Sequence, residues 1–330
     1  MGLWQIDTDT LARSRFVLSP FAETFASLKL LYAGTGAHPG EEAWLRAHLP
    51  GYRARLAADP VTAPLVRAAL GTSWIADFIC PTSCVGESFE ERGPGAGGRG
   101  RAARADLRVS SGAAPAALER DDLPERATAL LTYVWEETVR PYWEHRRRIL
   151  EADMVARTTR VSQGGWAAVL DDLRPGTRWL GESRFQVNLN AYPPREVAAG
   201  AELLFMPVTP RAGWVSWEAR ERYAVVYPCL GVLAEDHDRR PVPSGLGALI
   251  GPARARLLVL LGTPLSTTQL VALTGQGLGS VGRHLRVLLD AGLVGRRRAG
   301  RSVLYARTAA GDVLVEASRG PGRATGAGSR

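Results

Sequence analysis

The sequence predicts an α+β chain: a helical N-terminal region, a small antiparallel sheet, then a basic C-terminal module of two helices and a hairpin. Three observations lead to that class. Apolar residues recur at helical spacing through most of the stretch before Pro175,. The period shortens to strand-like alternation between Thr177 and Tyr227,. The net positive charge sits at one end: Gly245 to Arg330 holds 12 Arg and no Lys against Asp290, Asp312 and Glu316, a balance of +9. The other residues carry 29 basic and 30 acidic side chains, a balance of −1.

In chain order, residues 11–32 set Phe21, Phe25, Leu28 and Tyr32 on one helical face, with Ser19-Pro20 as the start signal,. A core stripe is the simpler reading, a dimer contact the alternative. Glu41 to Ala58 predicts another helix, stopped by Asp59-Pro60, and Pro64 to Leu70 a further short one. Gly93 to Ala105 is Gly- and Arg-rich without periodicity, so the stretch of about 93–122 is expected as a flexible loop,. Leu123 to about Ser162 is the longest helical pattern, which Pro141 kinks or divides, and Trp166 to Leu173 is a short helix,. The five short segments that follow predict one mostly antiparallel sheet. In it Phe185, Val187 and Leu189 alternate with Gln186 and Asn188,.

Domain boundaries follow: 1–240 as a regulatory or dimerising domain, Glu235 to Pro243 as linker, 245–318 as the C-terminal domain, and 319–330 as a disordered tail. Six of nine Trp fall between Trp135 and Trp217, where they either line a pocket for an apolar ligand or fill a core; spacing does not separate the two,. Lys29 is the only lysine, which reads as compositional bias.

Composition narrows the function classes. Hydrophobic residues at 45% and charged residues at 22% are ordinary for a soluble globular protein, and no apolar run approaches a bilayer span,. Met1 to Thr10 lacks a basic-then-apolar signal pattern, so a cytoplasmic location is expected,. Cys80, Cys84 and Cys229 are too few for a disulfide framework,. The Cys80/Cys84 pair falls short of the three or four ligands of a metal site and reads as buried or incidental, with a redox switch as the alternative. Asp236, His237 and Asp238 read as a solvated charge run. No nucleophile elbow, phosphate-binding glycine loop or zinc-protease motif is present, so neither catalysis nor a cofactor is expected,.

The C-terminal stretch carries the sharpest pattern. Pro252 opens an apolar helix with Leu257, Leu258, Leu260 and Leu261 inward, and Gly262 is expected as its cap,. Ser266 and Gln269 form a capping box for a second helix, in which Leu270, Val271 and Leu273 face inward and which Gly275 ends,. Leu278 to Ala291 then places Val281, Leu285, Leu288 and Leu289 on a core stripe, with Ser280, Arg283, His284 and Arg286 opposite,. A hairpin follows, with Arg296, Arg297, Arg298 and Arg301 around its Ala299-Gly300 turn. Like charges crowded at a tip repel, and a phosphate backbone supplies the compensating charge. This is a winged helix-turn-helix pattern with double-stranded DNA as the expected partner. The expected contact residues are Thr267, Gln276, Ser280, Arg283, His284, Arg286, Arg296, Arg298 and Arg301.

The runs GPARARLLVLLGTPLSTTQLVALTG and SVGRHLRVLLDAGLVGRRRAGRSVLYARTAAGD resemble an ArsR-like winged-helix transcriptional regulator. The preceding region, through RSRFVLSPFAETFASLKLL, WIADF and YPCLGV, resembles the long uncharacterised N-terminal domain of some such regulators. The resemblance implies a homodimeric, DNA-binding repressor. The helix-plus-sheet pattern with clustered Trp separately suggests that residues 1–240 sense a small molecule; a purely structural or dimerising domain is the alternative. The resemblance also implies that Ser280, Arg283 and His284 occupy recognition-helix positions and that Arg298 and Arg301 flank the wing. The helix Ser266–Thr274 lacks the Cys-x-Cys pair of metal-sensing members, so metal sensing of that kind is not expected. Gly277, Gly279 and Gly282 stand where the family often has Ser, Gln or Thr, which predicts thin base readout.

Overall fold

Residues 202–208, ELLFMPV, are apolar at nearly every position, and that continuity sets the layering of the first half of the chain. A strand buried on one face alternates; one buried on both does not. In the computed structural model this segment is strand β6 (Glu202–Val208). Its Leu204, Met206 and Val208 join a core with the helices, while Leu203 and Phe205 join a second core on the other side. The structure describes residues 2–37, 39–71, 74–82, 89, 100–112, 116–171, 173–190, 192–218, 221–229, 242–262, 264–299 and 302–318. The chain divides into two units, Met1–Leu233 and Ala234–Arg330.

The first unit is α+β, as expected, but the single antiparallel sheet is corrected to two four-stranded mixed sheets. Sheet one runs β3 (Arg178–Gly181), β4 (Arg184–Asn188), β1 (Gly2–Gln5), β5 (Arg195–Glu196), with β1 antiparallel to β4 and parallel to β5. Sheet two runs β2 (Arg15–Phe16), β6, β8 (Arg222–Pro228), β7 (Trp214–Glu218); its β6–β8 pairing is parallel and β7–β8 antiparallel. Strands β1 and β2 come from the N-terminal region, where two to four residues are too short a run for periodicity to register. Phe185 and Val187 are buried as expected, but so is Gln186, whose Nε2 donates to the Gly176 carbonyl at 2.9 Å, and Leu189 is 73% exposed, because β4 has ended.

On the other face of sheet two pack α2 (Pro20–Ala33), α3 (Pro39–Ala58), α4 (Thr62–Ala69) and α6 (Leu123–Val134). Ser19 caps α2 by accepting from the Ala22 amide at 3.0 Å. Phe21, Phe25 and Leu28 are buried, as a core stripe requires, whereas Tyr32 is not. The expected loop at about 93–122 is also corrected. Residues 100–111 form α5 (Gly100–Ser111), and a 3-10 turn spans Ala116–Leu118. Ala103 and Leu107, at i and i+4, are fully buried with Leu118. Two apolar residues among arginines are too sparse for a visible stripe, yet the arginines stay outside: Arg108 pairs with Glu119 at 2.7 Å, and Arg104 with Asp121. Residues 93–99 lie outside the described residues.

The long helical pattern is divided at Pro141, as expected. After α6 the backbone makes a π turn (Trp135–Val139) and a 3-10 turn (Arg140–Tyr142) before resuming as α7 (Trp143–Gly164). Proline offers no N–H to the ladder, so the register widens and tightens around it. The divided run carries Arg146 back onto α2. Its Nη1 donates to Glu23 Oε1 and Ser27 Oγ, both at 2.9 Å, and Glu23 Oε2 also accepts from the Thr209 amide at 2.8 Å. Both charged side chains are essentially sealed from water.

Removing one partner of such a pair leaves the other charge buried and uncompensated, which costs about 3–5 kcal/mol. Glu23→Ala is therefore expected to lower unfolding free energy by about that much in denaturant titration. Thr209→Val, which loses a hydroxyl but keeps the ion pair, should cost about 1–2 kcal/mol.

Candidate nucleic-acid interface

The second unit begins with α9 (Ser244–Ile250) and α10 (Pro252–Leu260), joined at Gly251 with φ +85°. Pro252 is at the first turn of α10, and Leu257, Leu258, Leu260 and Leu261 are buried. The expected role of Gly262 is corrected. Leu261 ends the helix with φ −74°, and a Cβ on Gly262 would lie 2.5 Å from Arg307 Nη2. That glycine admits Arg307, whose amide donates to the Leu261 carbonyl at 2.9 Å and whose Nε pairs with Asp312 at 3.0 Å.

Next comes β9 (Leu265–Ser266), then α11 (Thr267–Thr274). The capping box forms: the Gln269 amide donates to Ser266 Oγ at 3.3 Å, and the Ser266 amide to Gln269 Oε1 at 2.7 Å. Gly275 closes α11 in the left-handed region, φ +68°, which a β-carbon disfavours,. Three residues on, α12 (Leu278–Asp290) starts with Gly277 at its N-cap. Val281, Leu285 and Leu288 bury one side of α12, against α10 and α11.

The other side of α12 is the candidate interface. Arg283 and Arg286 are exposed at its centre, with Gly279 and Gly282 beside them. Ser280 and His284 lie on one flank and are half-buried. Ser280 Oγ is 3.4 Å from both His284 Nε2 and Gln276 Oε1. Gln276 thus belongs to this flank from the turn before α12. Thr267 is half-buried at the first position of α11, at the opposite end of that helix from the turn. A β-carbon on Gly277, Gly279 or Gly282 would meet no atom within 4 Å. These glycines are not required by packing; they lower the profile of the helix on its outer side.

The wing is β10 (Val294–Ala299) paired antiparallel to β11 (Ser302–Arg307), with β9 on the far edge of β11. Arg296, Arg297 and Arg298 are all exposed and face Tyr305, Leu304 and Val303 in register. Alternation sends Arg296 and Arg298 to one face and Arg297 to the other. Arg301 lies outside the described residues. The contact set expected from sequence omits Arg297, which its place in the Arg-Arg-Arg run would have supplied. It also omits Leu278, 62% exposed at the start of α12. The wing leads into α13 (Ala309–Ala317), capped by Thr308.

Among the described residues, Arg283, Arg286, Arg296, Arg297 and Arg298 form no ion pair. No group of three or more His, Cys, Asp or Glu among the described residues is placed to hold a metal ion, and no helix there is long and apolar enough to cross a membrane. Cys80 and Cys229 are buried, and burial pushes the Cys80 thiol up, away from the reactive thiolate; Cys84 and residues 236–238 lie outside the described residues,.

Helix, turn, helix and basic β-hairpin in this order are a winged helix-turn-helix, the class that lays one helix in the major groove and a wing on the flanking backbone. Within that class, residues 251–295 match the family described as bacterial regulatory protein, arsR family, so the second unit carries the ArsR-like helix-turn-helix of a DNA-binding transcriptional regulator. The match ends inside the wing, and the first unit lies outside it. No curated protein and no solved structure matches the chain.

The open glycines generate a stability prediction. Glycine inside a helix costs up to about 1 kcal/mol relative to alanine. With space for the methyl group, Gly279→Ala and Gly282→Ala should each stabilise the second unit by about 0.5–1 kcal/mol in thermal or chemical unfolding. A loss of stability in either would show that the glycine is held by packing.

Proposed function

We propose that the chain is a homodimeric repressor that binds a pseudo-palindromic operator in the cytoplasm and that its first unit senses a small molecule. The observation that carries the DNA part is the set of five exposed arginines without carboxylate partners, divided between the outer side of α12 and the wing. Arginines elsewhere in the chain commonly find acids: Arg126 with Asp59 and Asp122, Arg222 with Glu202 and Glu218, Arg157 with Asp153. Unpaired arginines gathered on the outer side of one helix and on the adjoining wing form a surface suited to a polyanion.

Arg283 and Arg286 lie where a recognition helix meets base edges, and bidentate contact to guanine is their commonest specific use. The wing arginines suit phosphates. Dimerisation is supported by apolar side chains at both ends of the second unit, Leu249 on α9 and Val313 on α13, each 68% exposed. Two copies would set their recognition helices about 34 Å apart, one turn of duplex. The reading assigns no catalytic step to either unit.

Affinity for operator DNA is expected to fall about a hundredfold or more between 50 and 200 mM salt, the consequence of at least four phosphate contacts per complex. A nearly flat salt dependence, measured by fluorescence anisotropy, removes the DNA reading. Arg283→Ala should cost about 1–3 kcal/mol at the operator and relax sequence preference, whereas Arg298→Ala should weaken specific and non-specific binding alike and reduce the salt slope.

A further inference from the structure

The first unit encloses a cavity of about 510 Å³, within the size range of small-molecule sites,. Four of the nine tryptophans line it: Trp4 from β1, Trp74, and Trp214 and Trp217 from β7. Trp74 stands edge-on to Trp217, ring centroids 5.2 Å apart. Three cations reach the same space, Lys29 from α2, Arg174 and Arg195, against one carboxylate, Asp77. Lys29 Nζ lies 5.2 Å from the centre of the Trp214 ring, and the Arg195 guanidinium 3.9 Å from that of Trp217.

The charges are not balanced from within. Among the described residues, Lys29, Arg174 and Arg195 form no ion pair. The side chain of Arg174 donates from Nη2 to the Val187 carbonyl at 2.6 Å, while its Nε is buried without a partner. Trp74 Nε1 is likewise buried and unpartnered. Burial lowers the Lys29 ammonium, with Arg174 adding repulsion, and lowers the Arg174 guanidinium to about 10. Asp77 is raised to about 6 by its enclosure and by Asp106, with Arg195 opposing, so the one acid present is itself a weak counter-charge. Two neighbouring cations withdrawn from water without a counter-ion are costly, and an anion that enters relieves both. Cation–π contacts alone do not: they keep the charge but leave donors unfilled.

We propose that this cavity binds a small aromatic carboxylate, its ring held by Trp74, Trp214 and Trp217 and its carboxylate by Lys29 and Arg174. The assignment deepens the sensory reading above and rests on it only for the consequence at DNA. The aromatic faces need a flat apolar body, and the two cations need a single delocalised anion whose hydration is weak enough to lose. Arg195 and Asp77 offset each other in charge.

The test uses the full-length chain and isothermal titration with phenylacetate and indole-3-acetate. The matched amides, phenethylamine and phenyl phosphate serve as comparisons. The expected result is one site per chain and acids at least about tenfold tighter than their amides. Lys29→Met should abolish that preference, Trp217→Ala should weaken acid and amide together, and Asp77→Asn should tighten the acids. Asp77→Asn is nearly isosteric, so that variant keeps the test alive where Lys29→Met fails to fold. Equal affinity for acid and amide, tighter binding of phenyl phosphate, or no binding of either acid at millimolar concentration overturns the assignment. A second titration on operator-bound protein separates the two readings. Acid binding with unchanged DNA affinity keeps the site and removes the sensor. Loss of DNA binding in every state removes the regulator and leaves the site.

Discussion

One buried ion pair ties together four elements of the first unit that are distant in sequence. Glu23 on α2 receives Arg146 from α7 and the backbone of Thr209 just after β6, and the guanidinium lies 5.4 Å from the ring of Trp44 on α3. Four elements distant in sequence thus share one charge pair that water does not reach. Apolar packing tolerates sliding, because a leucine is satisfied by many neighbours; a carboxylate with three donors is satisfied in one arrangement. The pair therefore contributes register, whatever its net energy against an apolar substitute. Its consequence extends to chemistry. Lys29 lies on α2 less than two turns beyond Glu23, and β7, with Trp214 and Trp217, begins five residues after Thr209. The clamp that orders the core also fixes the distance between a cation and the aromatic wall opposite it.

What the sequence made legible follows the range of the interactions involved. The winged helix was legible in detail because its signals are local: a capping box spans Ser266 to Gln269, the core stripe of α12 repeats every three or four residues, and the wing is one hairpin. The helices α2, α3, α4, α6 and α7 were legible for the same reason, including the break at Pro141. The sheets were not. Strand β1 pairs with β4 across about 180 residues, and among the described residues β2 pairs only with β6, so no local period announces either. Parallel pairing of β6 with β8 was hidden as well, since a continuous apolar run does not state how many faces it buries.

The two candidate sites divide in the same way. Arg283, Arg286 and the wing arginines were found by counting charge, because a nucleic-acid interface is a surface property of contiguous segments. The cavity residues come from seven separate stretches between Gly2 and Trp217, and no local period joins them. The clearest case is Lys29. As the single lysine of the chain it reads as an accident of composition, and only the folded unit brings it to Trp214 and toward Arg174. The clustering of tryptophans carried half of the signal, but it was indifferent between wall and core. Both occur: Trp135 is buried among helices, and Trp217 lines the cavity.

Charge also constrains how the two sites could communicate. A monoanion in the cavity alters a chain whose C-terminal segment carries a balance of +9 by a single unit, and an exposed charge is screened over about 8 Å at physiological salt,. Bulk electrostatics therefore accounts for little change in DNA affinity. A ligand shifts an equilibrium only by its differential affinity for the two states, so the coupling, about 1–3 kcal/mol in ordinary regulators, has to come from structure that exists in two forms. Lys29 and Arg174 repel each other and would both be drawn to a common anion, and Lys29 lies on α2, the helix that carries Glu23 of the clamp. Neutralising the repulsion between Lys29 on α2 and Arg174 is a change in packing preference rather than in net charge. On this argument, replacing Lys29 with an uncharged side chain of similar length should leave the unliganded chain closer to the liganded form, so that DNA affinity moves toward the effector-bound value without effector.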